Sequence, residues 1–269
     1  MSCHVLKHGE IIPMDTRSII SARYKTITKA VNREFWNSTS ETSHSLYVGS
    51  YGRGTAIDTS DIDMLVELPK SEYDRFDIYK GNGQSRLLQV VKSAIQTSYP
   101  RTDVHADGQV VVISFTDEIK FEVLPAFVSS DWCGNETYQY PDTNMGGNWR
   151  PANPKAEQEA MRSKNNSDSG LLFDTCKHMR YIRDNFFSSY HLSGIVIDSF
   201  VYAAIGEWSW SQPSSTSSAP AGDYETYLYN AYINTYGNAS AITAPGSNQT
   251  VDLRNSKDCL EKVLYKMTQ

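Results

Sequence analysis

Two carboxylates stand two residues apart in Asp61-Ile62-Asp63, and the apolar run that follows, Met64-Leu65-Val66 to Leu68, reads as a buried strand. Residues i and i+2 of a strand share a face, so both acids project the same way from the strand's mouth. Like charges held that close repel, and a divalent cation coordinated by oxygen relieves the repulsion. Twelve residues before Asp61, Gly49-Ser50 closes a short strand, His44 to Val48, and opens the turn Tyr51-Gly52-Arg53-Gly54. A glycine there lets backbone N–H groups approach an anion, and the serine hydroxyl adds a donor, which suits a triphosphate. Either feature alone is common in surface turns. Both together, in this order and each beside a strand, specify a place where phosphate oxygens meet a metal ion.

Composition narrows the partners. The chain has 269 residues, 39% hydrophobic and 21% charged, enough for one large domain or two packed lobes. Its net charge of −6 and the lack of a basic stripe argue against tracking a nucleic-acid backbone. The nearest basic stretch, Lys177-His178-Met179-Arg180 with Arg183, fits a local phosphate pocket better than a duplex. Cys3, Cys133, Cys176 and Cys259 are far apart and the six histidines are scattered, so no zinc module is indicated. Ser50 lies outside a Gly-x-Ser-x-Gly elbow, and no Gly-Lys-Ser/Thr follows Gly54, which excludes a hydrolase nucleophile and a Walker loop. No apolar run has signal-peptide or membrane-spanning length, so a cytoplasmic protein is expected.

The elements that must carry these residues follow from periodicity. Ile20, Tyr24, Ile27, Val31 and Phe35 make one stripe of a helix starting near Thr16, with Asp15 as its N-cap. Strands are expected at 62–68, 109–115 and 119–127, the last two joined by a tight turn at Thr116-Asp117-Glu118. A helix is expected over 85–98. Residues 128–152, rich in Gly, Pro, Asn and Trp, read as a long loop crossing between lobes. Helices then follow at 171–187, 193–208, 224–234 and 256–267, with a Ser/Pro/Ala-rich loop over 209–222. A strand-rich first half and a helical second half give an α+β class.

The span Val48 to Leu68 resembles the Gly-Ser…Asp-x-Asp signature of polymerase-β-like nucleotidyltransferases. Lys120-Phe121-Glu122-Val123-Leu124-Pro125-Ala126-Phe127 resembles the strand bearing that family's third acid. The matching position is Glu122, where the family usually has Asp; Asp117 and Glu118 are the fallbacks in the turn before it. More narrowly, Ser50 to Pro69 with the Leu-Pro-Ala-Phe ending is similar to the bacterial CD-NTases, relatives of cGAS. In that family a helix lysine and a later serine hold the donor phosphates and a tyrosine stacks on the base. By position these are Lys177, Ser189 and Tyr190, with Ser193 as the alternative serine; Ser193 stands where the family pattern has Glu.

The resemblance implies a polymerase-β-like core sheet in residues 1–150, a helical lobe in 151–269 and an active site in the cleft between them. It implies two Mg²⁺ ions, with Mn²⁺ as a substitute, on Asp61, Asp63 and Glu122, and Gly49 and Ser50 on the nucleotide. The substrates would be ATP, GTP, UTP or CTP and the product a cyclic di- or trinucleotide, in CBASS antiphage defence with a regulatory protein partner. Transfer to an RNA 3′ end, a protein or a small molecule, or a catalytically inactive nucleotide binder, are the alternatives. The zinc-binding insertion of animal cGAS is absent, so sensing of double-stranded DNA is not expected, nor is a membrane.

Overall fold

The apolar stripe from Ile20 to Val31 folds as expected into α1 (Met14–Phe35), with Ile20, Tyr24, Ile27, Ala30 and Val31 buried along it. The start differs. Pro13 occupies the N-cap position, and Asp15 lies in the first turn, where its carboxylate accepts the Thr16 N–H and meets the positive end of the helix dipole. In this computed structural model, residues 4–57, 61–130, 134, 136–211 and 219–269 are described. The chain divides into two units, one of Ile12–Gly52 with Asp58–Asn153, the other of Met1–Ile11, Arg53–Ile57 and Pro154–Gln269.

The first unit is a mixed sheet with helices. After α1 come β1 (Ser45–Tyr47), α2 (Gly49–Arg53), β2 (Ile62–Leu68), α3 (Lys70–Asp77) and α4 (Gly83–Gln96). Five strands follow: β3 (Asp103–Asp107), β4 (Val110–Ser114), β5 (Lys120–Ser130), β6 (Glu136–Asp142) and β7 (Asn148–Ala152). The order is β1-β2-β5-β4-β3, with β6 on β5 and β7 on β6; β2 and β5 run parallel and the other pairs antiparallel. The expected turn at 116–118 is present, closed by the Glu118 N–H on Phe115 O.

Strand β5 explains the branched order. Its first part, Lys120–Val123, pairs with β4, and its last part, Phe127–Ser130, pairs with β6. Pro125 falls between the two stretches, where a missing N–H breaks neither ladder. Most of the described residues of the segment 128–152 are therefore strand, not loop: 128–130 extend β5, and 136–142 and 148–152 form β6 and β7. Trp149 on β7 packs edge-on against Phe127, and its indole N–H donates to Asp77. Tertiary pairing overrides a sequence with no strand period of its own.

Alternation gives the sheet two unlike faces. Ile62, Met64 and Val66 of β2, Phe121 and Val123 of β5, and Val111 and Ile113 of β4 are fully buried, and α1 and α4 pack against the sheet. The opposite face carries a smaller cluster of Val48, Leu65, Ala126 and Tyr138, with Leu46 and Leu124 against it. Cutting Leu65 to Ala there would cost about 2–5 kcal/mol. The residues two and four before Leu65 on this face are the two acids.

The second unit is mostly helical: α5 (Pro154–Ser167), α6 (Leu171–Phe186), α7 (Gly194–Ala204), α8 (Asp223–Ala231) and α9 (Lys257–Met267), with a hairpin of β8 (Ala241–Thr243) and β9 (Thr250–Asp252). Its core takes Leu172, Cys176, Met179 and Ile182 from α6, with Val196, Ile197, Phe200 and Val201 from α7. The hairpin is not foreseen by the sequence reading. Of the expected loop at 209–222, residues 212–218 lie outside the described residues, as do Cys3 and Cys133. No helix among the described residues is long and apolar enough to cross a membrane.

Candidate active site

Asp63 of β2 and Glu122 of β5 are direct neighbours in the parallel ladder. Paired residues of adjacent strands share a face, about 4.8 Å apart, and Asp61 lies two residues before Asp63, roughly 6.6 Å along the strand. Three carboxylates thus gather at one end of one face, partly open to solvent. At that spacing each like-charged pair costs on the order of 1–3 kcal/mol, depending on how much water screens it.

One cation already sits among them. The Lys120 ammonium is 3.0 Å from Asp61 Oδ1 and 2.7 Å from Glu122 Oε1. Its hydrogen bond to Glu122, helped by Asp61 and opposed by partial burial, holds its pKa above the ordinary lysine value. Sequence reading assigned Lys120 no role. Yet the period of two that aligns Asp61 with Asp63 also aligns Lys120 with Glu122 on the same face.

Gly49 bounds the cluster from another side. It has φ +58°, and a Cβ built on it would lie 1.8 Å from Asp63 Oδ2. Glycine suits this backbone angle, and any Cβ there would have to displace the Asp63 carboxylate. The Val48 N–H donates to Asp63 O at 2.9 Å and the Gly52 N–H to Val48 O at 2.8 Å, so the turn is hooked to the acid strand by main chain. Ser50, half-buried, is the second residue of α2.

The chain between this turn and Asp61 is anchored by a buried ionic network within the second unit. Arg53 Nε donates to Asp198 Oδ2 at 2.8 Å and its Nη1 to Glu157 at 3.1 Å, while Thr55 Oγ1 donates to the same Asp198 oxygen at 3.1 Å. Arg180 grips both Asp198 oxygens, at 2.7 and 2.9 Å. Burial alone would raise the Asp198 pKa, but the guanidinium groups of Arg180 and Arg53 outweigh it and hold it down at about 2. Burial raises the Glu157 pKa, with Arg53 pulling the other way. Residues 58–60, which complete the link to Asp61, lie outside the described residues.

The remaining expected site residues all belong to the second unit. Lys177, half-buried on α6, donates from Nζ to Gly9 O. Burial lowers its pKa, with Glu10 and Asp174 opposing. The segment bearing Gly9 is held further by the His8 N–H on Asp174 and by a His8–His178 contact of 3.1 Å. Ser189 and Tyr190 are exposed in the turn beyond α6, whose last residue, Phe186, is nine residues past Lys177, about 13 Å along the helix axis. Tyr190 meets Phe187 edge-on and has the Lys262 ammonium 5.1 Å from its ring centre. Ser193 is the N-cap residue of α7, and its N–H donates to Ser256 Oγ at 3.3 Å.

As their side chains stand, no group of three or more His, Cys, Asp or Glu among the described residues is arranged to hold a metal ion. The donor chemistry nevertheless fits a hard divalent cation. All three groups are carboxylates, they share a face, and an ammonium already takes a cation's place on two of them.

Residues 8–165 match the family of the Second Messenger Oligonucleotide or Dinucleotide Synthetase domain. Comparison with curated protein sequences finds no match. Among solved structures, the chain is similar to the Elizabethkingia meningoseptica CdnE cyclic dinucleotide synthase with GTP and Apcpp, at 15% identity and TM-score 0.60, covering 98% of this chain and 94% of that one. The Rhodothermus marinus CdnE c-UMP-AMP synthase with Apcpp and Upnpp gives 16% identity and TM-score 0.63 over 91% and 88%. The CdnC of E. coli MS115-1 in its HORMA-deltaN complex gives 11% and 0.58 over 96% and 82%. These likenesses establish a shared fold. The family match spans more than half the sequence, from the N-terminal segment through the acid-bearing strands, and by it the chain belongs to the second messenger oligonucleotide or dinucleotide synthetases.

Proposed function

We propose that the chain joins nucleoside triphosphates into a cyclic di- or trinucleotide second messenger and releases pyrophosphate, in CBASS antiphage defence. The observation that carries this is the side-by-side register of Asp63 and Glu122, with Asp61 two residues before Asp63 and Gly49 against it. Similar folds solved as CdnE synthases with pairs of nucleotides or analogues support two triphosphates as substrates. The CdnC:HORMA complex supports a regulatory protein partner.

In this reading a ribose hydroxyl attacks an α-phosphate in line with the departing pyrophosphate. Asp61, Asp63 and Glu122 are the groups that would hold Mg²⁺, two ions with Mn²⁺ as a substitute. Bound there, the metal supplies Lewis-acid charge to the phosphates and a lower pKa to the attacking hydroxyl. Glu122 reaches one methylene further from its strand than an Asp would. Gly49 keeps the turn against Asp63, so that Ser50 and the turn's N–H groups take phosphate oxygens. Lys177 gives up Gly9 O and neutralises charge on the leaving pyrophosphate. Ser189 or Ser193 adds a phosphate contact, and the exposed Tyr190 ring stacks on a base.

The test is incubation of the purified protein with all four nucleoside triphosphates and MgCl₂, followed by mass spectrometry and a pyrophosphate assay. A cyclic product that disappears in Asp63→Asn is expected. Pyrophosphate release only when RNA or another acceptor is added would move the reading to a transfer enzyme. Nucleotide binding without release would make the protein an inactive binder.

A further inference from the structure

We propose that Lys120 is a positioning residue of the acid site, whose ammonium holds Asp61 and Glu122 together before a divalent cation binds and must release them for the cation to enter. This rests on the function proposed above. The contact is not an isolated surface pair. Asp61 precedes β2 while Lys120 and Glu122 lie on β5, so one ammonium bridges two strands, at 3.0 and 2.7 Å. Lysine has three N–H donors and no acceptor, so it can serve two carboxylates at once. On the other side of β5 the residue level with Lys120 is Ser114, which offers no competing acid. The ammonium is therefore committed to the acid cluster.

Its charge also sets a limit. Three carboxylates with one lysine leave a net charge of −2, against −3 without it. Asp61 Oδ1 and Glu122 Oε1 cannot give the same lone pairs to an ammonium and to a metal ion, so the two cations compete. The lysine's contacts are partly exposed, so a divalent ion can displace it at modest expense. Its four-carbon stem lets it stay nearby, where phosphate oxygens of an incoming nucleotide offer it new partners. Lys120 thereby keeps the acids in register without metal and weakens cation binding until a nucleotide arrives.

The experiment titrates Mn²⁺ into nucleotide-free protein and reads free Mn²⁺ by electron paramagnetic resonance, which needs no turnover. Lys120→Met should bind Mn²⁺ about 3–10-fold more tightly than the wild type, as expected for removing one screened competing charge. Lys120→Arg, which keeps the charge, should stay within about twofold of the wild type. An unchanged or weaker affinity in Lys120→Met overturns the proposal and leaves the cation assignment standing. Binding by neither protein, or binding unaffected by Glu122→Gln, overturns the assignment of the cation to these acids and the lysine's role with it. A second readout uses the wild type alone. In ¹⁵N-lysine spectra the Lys120 Nζ signal should shift when Mg²⁺ is added, and a signal that stays fixed through saturation refutes its displacement.

Discussion

Gly49 touches Asp63 at the point where any other residue would carry a Cβ, which would lie 1.8 Å from the carboxylate oxygen. The Val48 N–H on Asp63 O also ties the Gly49-Ser50 turn to the strand of Asp63 by main chain. Two sequence features twelve residues apart form one rigid piece.

Gly49→Ala tests that piece. The new methyl must displace the Asp63 carboxylate, and an alanine at φ +58° adds about 1 kcal/mol of backbone strain. Turnover measured by pyrophosphate release should fall at least 100-fold, while the melting temperature drops by only a few degrees. A variant that keeps wild-type turnover would show that the position of Asp63 does not limit the reaction.

The adjacency of Asp63 and Glu122 leads to a graded expectation at position 122. If Glu122 helps hold a divalent cation as proposed, Glu122→Gln removes a ligand's charge and should reduce turnover by about 10²–10³-fold. Glu122→Asp keeps the charge on a shorter stem and should cost about tenfold. Because the group is partly exposed, either change should move stability by less than about 1 kcal/mol in urea unfolding. A larger loss in Glu122→Asp than in Glu122→Gln would mean that reach, not charge, is what this residue supplies.

Much of this was legible in the sequence because it follows from a period of two. Asp61 and Asp63 share a face by alternation; Glu122 is named in the sequence only through the resemblance of its strand to the third-acid strand of the nucleotidyltransferases, and β5 running parallel beside β2 sets it level with Asp63. Lys120 follows from the same rule, but in sequence a lysine at the start of a strand looks like an ordinary solvated charge. The strands in 136–152 were not legible, because their pairing depends on the far half of β5, Pro141 and Pro151 lie within them and two adjacent glycines come between them. The bond from Arg53 to Asp198 spans 145 positions, and in sequence such a pair looks like two surface charges. The tie from Gly9 to Lys177 was hidden for the same reason.

The proposed function gives Lys177 two separable roles. If it binds phosphate, Lys177→Ala should raise the KM for nucleotide about tenfold or more. If it only fastens the N-terminal segment, KM should hold while amide exchange accelerates over residues 4–11, which lose the bond to Gly9 O. The proposed function predicts both effects. Faster exchange with unchanged kinetics would remove Lys177 from the nucleotide site.

Asp198 gives the pH prediction. Its folded pKa, about 2, lies below the usual carboxylate value of about 3.9, so the unfolded chain takes up its proton first as pH falls. The stabilisation is full above about pH 4 and is lost as pH drops through 2, and it amounts to about 2–3 kcal/mol. Glu157, raised by burial, works in the opposite sense, so the quantity to follow is the difference between wild type and Asp198→Asn. At neutral pH that variant leaves the buried Arg180 and Arg53 without their shared carboxylate and should lose about 3–5 kcal/mol. In urea melts scanned from pH 5 downward, the gap should narrow as Asp198 protonates in the wild type. A gap constant to the lowest pH reached would mean that the carboxylate's charge contributes nothing beyond its shape.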